Sequence, residues 1–172
     1  MRLSVSVARM MQAPLRLLLD LVDEAFDRKA WHGTTLAGSI RGVSVATAVW
    51  RPAPRRHNIW ELTVHAAYWK YAVRRLLAAE KRGSFALKGS NWFTRPAAGL
   101  AADERAWRDD VRLLLGEHRR LRETIAALPA RALEQRLAGR RYTAAFTIRG
   151  IAAHDLYHAG QIQLIKRLRA SR

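Results

Sequence analysis

The 172-residue chain contains no cysteine. That removes disulfides, thiolate-held zinc, iron–sulfur clusters and thiol catalysis by the protein's own side chains. Any metal must be held by histidine or carboxylate. Acidic residues are few: 14 Asp and Glu stand against 31 Lys and Arg, a net charge of +17. Lysine is scarcer still, since 26 of those cations are Arg and only 5 are Lys. No uncharged apolar run reaches 18 residues, so no transmembrane helix is expected. Arg9 and Arg16 interrupt the apolar N-terminal residues, and no small-residue cleavage site follows. A secretory leader is therefore not expected, and the cytoplasm is the default compartment. Residues 1–11 read as a ragged extension, with Met10 and Met11 leaving a later natural start open.

What is present is globular in composition, with 49% hydrophobic and 26% charged residues. The length suits one domain over residues 1–172, and such a chain buries about 70% of its unfolded surface. The positive charge attracts nucleic acid, anionic surfaces and acidic small molecules. Arg105, Arg108, Arg112 and Arg119 form a stripe of sorts. Recognised nucleic-acid signatures are absent, however: no helix-turn-helix spacing, zinc finger or aromatic RNA-binding strand. Nucleic acid is accordingly the minor reading and a small molecule the expected partner.

Four segments carry helical periodicity. Residues 13–29 place Leu15, Leu18, Leu19, Val22, Ala25 and Phe26 on one stripe, with Pro14 suited to a first turn. A Gly/Ser/Thr-rich stretch and the Pro52–Pro54 segment follow. Residues 59–81 form the second helix, with Asn58 as N-cap and Glu61 in the capping-box position. Its inner face is Leu62, His65, Trp69, Ala72, Val73 and Leu76. Residues 82–102 form a long connection with Trp92 and Phe93, a length often found in lids and pocket walls. Residues 103–128 carry an a/d-type stripe: Trp107, Val111, Leu114, His118, Leu121, Ile125 and Leu128. Residues 144–169 begin at the potential cap Thr143 and line up Thr147, Ile151, His154, His158, Ile162, Ile165 and Leu168. With no comparable strand pattern, the expectation is all-α, a four-helix bundle.

His154 and His158 stand at i and i+4, one turn apart on one helix face. That face is also apolar, where an unpaired imidazole is costly to bury. His65 lies on the apolar face of the second helix. Converging, the three would make a metal site with open coordination positions, the pattern of catalytic ions; separately, each is an ordinary core histidine. His118 is expected as a core or supporting residue, His57 as capping or solvated, and Asp155 as orienting a neighbour or solvated. Gln161 reads as a polar wall one turn after His158, and Gly160 as a site of close helix approach.

Two stretches carry a family resemblance. His57 to Trp69 reads H-N-I-W-E-L-T-V-H-A-A-Y-W, and Ile151 to Leu164 reads I-A-A-H-D-L-Y-H-A-G-Q-I-Q-L. They resemble the second and fourth helices of the DinB-like (YfiT-like) superfamily, and Trp31–Gly33 resembles a further element of it. The resemblance implies an up-down-down-up bundle with 82–102 as the crossover. It implies metal ligands at His65, His154 and His158, with zinc or nickel as the ion. Some members of that superfamily are thiol S-transferases using the low-molecular-weight thiols bacillithiol, mycothiol or glutathione, so the resemblance points to a thiol-dependent S-transferase; a metal-dependent hydrolase is the alternative. Homodimers are common among such bundles. A catalytically silent metal-binding module remains the third option. Glu61 and Gln161 are candidate catalytic residues. Trp31, Tyr68 and Trp92 are candidate cofactor- or substrate-binding walls, as is Phe93; ordinary packing is the alternative for each. Tyr157 is either beside the site or on the surface. The Arg-rich helix surfaces depart from the family pattern.

Overall fold

The computed structural model describes residues 2–81, 83, 85–96 and 103–171, with side chains from Gln12 onward. The remainder of the 82–102 connection, Gly99 included, lies outside the described residues. The helices are α1 (Arg2–Phe26), α2 (Leu36–Ile40), α3 (Val45–Ala48), α4 (Ile59–Leu77), α5 (Glu104–Ala126) and α6 (Ala144–Ala170), with a 3₁₀ turn at Ala130–Glu134. The described residues form no strand; their one β-type pairing is an isolated bridge, Arg136 with Thr143. The four long helices pack in a closed order: α4 along α5, α5 against α1, α1 along α6, and α6 against α4. No described helix is long and apolar enough to cross a membrane.

Local chemistry sets the boundaries. Asn58, Asp103 and Thr143 cap α4, α5 and α6, their side-chain oxygens accepting from the amides of Glu61, Ala106 and Phe146. α4 stops at Leu77, earlier than the periodicity suggests. Ala79 turns to φ 52°, and the amides of Ala79 and Glu80 donate to Leu76 and Arg75, closing the carbonyl end. α1 starts at Arg2, so Pro14 lies within it instead of in the first turn. Pro14 is exposed, where water can satisfy the carbonyl that its missing N–H leaves free. α1 ends at Phe26, where Asp27 and Arg28 both donate to the Asp23 carbonyl.

Two apolar clusters fill the interior. One gathers Phe26, Leu36, Trp60, Trp107, Leu114 and Ile162, among others. The other joins Leu15, Leu18, Val22, Leu121, Ile125, Ile148 and Ile151. α4 is more enclosed than a single stripe allows: Ile59 to Ala67 are all buried, because α3, α5 and α6 all pack on it. Trp69 instead reaches the surface, and Leu168 of α6 is exposed. Gly160 is no close-approach site, since a Cβ there would meet nothing within 4 Å among the described residues.

Charged groups are also buried. Lys70 of α4 is fully enclosed and donates to Asp155 of α6 at 2.5 Å. Its ammonium also lies 4.6 Å from the Phe26 ring centroid. Asp155 is thus neither solvated nor on an open face. Burial pulls the Lys70 ammonium down and pushes the Asp155 carboxyl up, while each partner's charge opposes the shift. A second buried set joins Asp110 to Arg95 at 2.8 Å and to the Trp60 indole N–H at 2.6 Å.

Candidate metal centre

α4 contributes His65, and α6 contributes His154 and His158 one turn apart. Their Nε2 atoms converge: His154 Nε2 is 3.1 Å from His65 Nε2 and 3.1 Å from His158 Nε2. One potential ligand atom from each residue falls within a 4.8 Å spread. Around a tetrahedral ion with bonds of about 2.0–2.1 Å, neighbouring nitrogens stand roughly 3.3 Å apart.

The outer ring nitrogens fix the protons. His65 Nδ1 lies 2.8 Å from the Asn91 carbonyl oxygen, which can only accept, so Nδ1 carries the hydrogen. His158 Nδ1 lies 2.7 Å from Gln161 Oε1 and donates in the same way. Both rings therefore aim an Nε2 lone pair at His154. A single proton on His154 Nε2 can serve one of these lone pairs and not both. The Nδ1 of His154 is buried without a partner among the described residues. Three imidazole nitrogens facing one another, two with tautomers set from behind, is the arrangement that a cation resolves and protons do not.

Burial keeps these rings neutral. It lowers His65 to about 4, against a rise from the Asn91 bond, and lowers His154 to about 3 with help from the neighbouring histidines. His158 is lowered by burial too, although Gln161 opposes it. Neutral imidazole is the form that binds metal.

A model of the DinB superfamily matches residues 18–162. The chain belongs to the DinB superfamily. No curated protein and no solved structure matches it. The DinB match takes in all three converging histidines, and a divalent ion can be held by them.

The other candidates in this DinB chain divide. Trp92 joins the cluster: its ring stacks on His65 at 3.8 Å and 10°, and on its far side His57 stacks at 3.6 Å and 5°. His57 is therefore neither a cap nor merely solvated. Its Nδ1 also lies 3.1 Å from Glu61.

Glu61 does not close a capping box. Its carboxylate is taken by the Arg51 guanidinium, at 2.5 and 2.8 Å, and accepts from the Arg95 amide at 3.3 Å. Burial alone would raise this carboxyl, but those bonds and His57 hold it below the usual carboxylate range. Gln161 does not stand free as a polar wall, because it holds His158.

Tyr68 packs instead with Phe85 and Phe93, whose ring is buried. Trp31 stands fully in solvent, and Tyr157 is largely exposed. His118 is buried against Phe26, stacked at 3.6 Å, and is driven down to about 2 by burial and by the Lys70 and Arg122 charges.

Three contributors escaped the sequence reading. The Asn91 carbonyl carries no side-chain signature. Arg51 lies in the Pro-rich approach, where it resembled general surface charge. Lys70 did leave a trace, as the lone cation in the stretch T-V-H-A-A-Y-W-K-Y-A-V.

Proposed function

We propose that the protein holds a divalent cation, zinc or nickel, on His65, His154 and His158 and acts as an enzyme on a small molecule. The observation that carries this reading is the meeting of three neutral imidazoles at 3.1 Å, two of them oriented from behind by Asn91 and Gln161. Borderline nitrogen donors suit zinc and nickel. The closed packing order of α1, α6, α4 and α5 supports a four-helix bundle with up-down-down-up connectivity.

A divalent ion there supplies Lewis acidity, enough to bring a water near pKa 7 or keep a thiol as thiolate. Three protein ligands leave room for such a group. Trp92 covers one face of His65 and restricts water on that side. Glu61, committed to Arg51 and His57, steadies the Trp92 stack and is not the general base. With no cysteine in the chain, a sulfur nucleophile must come from a low-molecular-weight thiol. We favour thiol-dependent S-transfer: the thiol gives its proton to solvent, sulfur bonds to an electrophilic carbon, and the leaving group departs with the bonding pair. Ester or amide hydrolysis is the alternative.

Metal analysis of the purified protein, beside a His154→Ala/His158→Ala variant, tests the first step. A wild type that neither contains nor takes up zinc or nickel overturns the reading. Turnover of a chloronitrobenzene with several thiols tests the second. If no thiol supports it while an ester is cleaved, the hydrolase reading wins. A metal-loaded protein silent in both assays is a binding module. Salt-dependent DNA binding that survives loss of the histidines would point to the nucleic-acid class.

A further inference from the structure

A groove of about 200 Å³ adjoins the histidine cluster and includes His154 in its lining. α4 supplies Trp69 and Val73; Tyr142, Phe146 and Ile151 come from the start of α6 and the residues before it. Three large rings here are left in contact with water, Trp69 at 37%, Tyr142 at 41% and Phe146 at 49% exposed. Their positions are nevertheless fixed. The Trp69 indole N–H donates to Asn91 Oδ1 at 2.9 Å, and its ring meets His154 edge-on at 6.2 Å. Tyr142 and Phe146 stack at 4.5 Å and 12°, each covering one face of the other. Gly150 borders open space in the groove, where a Cβ would meet nothing within 4 Å among the described residues. Two cations lie over the stacked pair and leave the ring edges to the groove: the Arg141 guanidinium is 4.8 Å from the Tyr142 centroid, and that of Arg149 is 5.9 Å from the Phe146 centroid.

We propose that this groove binds a small aromatic anion, one or two fused rings bearing a carboxylate or similar acidic group, beside the histidine cluster. The Trp69 indole and the ring edges of Tyr142 and Phe146 favour a flat aromatic guest through stacking and edge-to-face contact. An apolar cavity of roughly 150 Å³ is enough for benzene, so the space admits one ring and the open side a second. Arg141 and Arg149 select for the acidic group, as guanidinium pairs with carboxylate. As a substrate site the groove rests on the metal-enzyme reading of the three histidines; as a binding site it does not need the ion.

The test is calorimetric titration of the metal-free wild type with 2-naphthoate, its neutral alcohol analogue and cyclohexanecarboxylate, with zinc uptake measured in parallel. Saturable one-to-one binding of naphthoate is expected, at least tenfold tighter than cyclohexanecarboxylate. Gly150→Leu, which fills the groove, should weaken naphthoate at least tenfold and leave zinc uptake unchanged. Phe146→Ala should weaken it as well, which covers the case of a misfolded Gly150 variant. Arg141→Gln/Arg149→Gln should weaken naphthoate several-fold and leave the alcohol unaffected. No saturable naphthoate binding, or equal binding by wild type and both groove variants, overturns the proposal. A protein that takes up zinc but not naphthoate overturns the groove alone. One that binds naphthoate but no zinc overturns the metal reading alone.

Discussion

Replacing Lys70 with methionine would leave Asp155 in the interior without its counter-charge. The two side chains are 0% and 1% exposed and meet at 2.5 Å through Asp155 Oδ2, while Asp155 Oδ1 has no hydrogen-bond partner among the described residues. Removing one member of such a buried pair costs about 3–5 kcal/mol, because the remaining charge stays desolvated. At roughly 2–4 °C per kcal/mol for a chain of this size, the melting temperature should fall by about 6–20 °C. Urea unfolding followed by circular dichroism on metal-free protein would measure it. The decisive comparison is Lys70→Met/Asp155→Leu, which removes both charges. Apolar replacement of a buried pair is often neutral or stabilising, so the double variant should be more stable than Lys70→Met alone. If Lys70→Met costs less than about 1 kcal/mol, or the two substitutions simply add, the pair is not coupled as the geometry requires.

Gln161→Leu should lower zinc affinity about 10–100-fold, the usual cost of losing a partner that orients a ligand; competition titration with a chelator would show it, and unchanged affinity would refute the role. Metal-free protein should lose stability as pH falls from about 6.5 towards 4. Unfolded histidine binds its proton near 6.5, while burial lowers folded His65 to about 4, His154 to about 3 and His118 to about 2. The unfolded chain then holds more protons, and each of these histidines costs about 2 kcal/mol at pH 5; a flat profile between pH 7 and 5 in thermal melts would contradict the burial. Gly160→Ala should stabilise by about 0.5–1 kcal/mol, since the position is helical and open; a lower melting temperature would mean that something does occupy that space.

The helices and the histidine face were legible because both are written in local spacing. Asn58 and Thr143 announce two helix starts. The i,i+4 pair His154 and His158 on an apolar face, with His65 on another, has few uses besides meeting in the interior. The errors have a different cause, since each turned on tertiary surroundings that local spacing does not encode. Glu61 looked like a cap until Arg51 and His57, carried in by the proline-rich approach, took its carboxylate. Asp155 looked free because Lys70 is 85 positions away. Gly160 invited a packing explanation that nothing in its surroundings supports, and Trp31 lies outside everything it was expected to line. The all-helical reading of DinB-type sequence survived these misassignments, since none of them altered the apolar periodicity.

His158 takes its orientation from Gln161 on its own helix, whereas His65 takes its orientation from Asn91 and Trp92, 26 and 27 positions away in the chain. One oriented donor is thus held within α6, and the other depends on a docked loop. Seating a cation on all three therefore also seats the Asn91–Trp92 segment, and the two events share one free energy. A cation at a hundredfold excess over its dissociation constant contributes about 2.7 kcal/mol to the seated state. If zinc seats there, proteolytic nicking near Trp92 should slow when zinc is added, and an unchanged rate would refute the coupling.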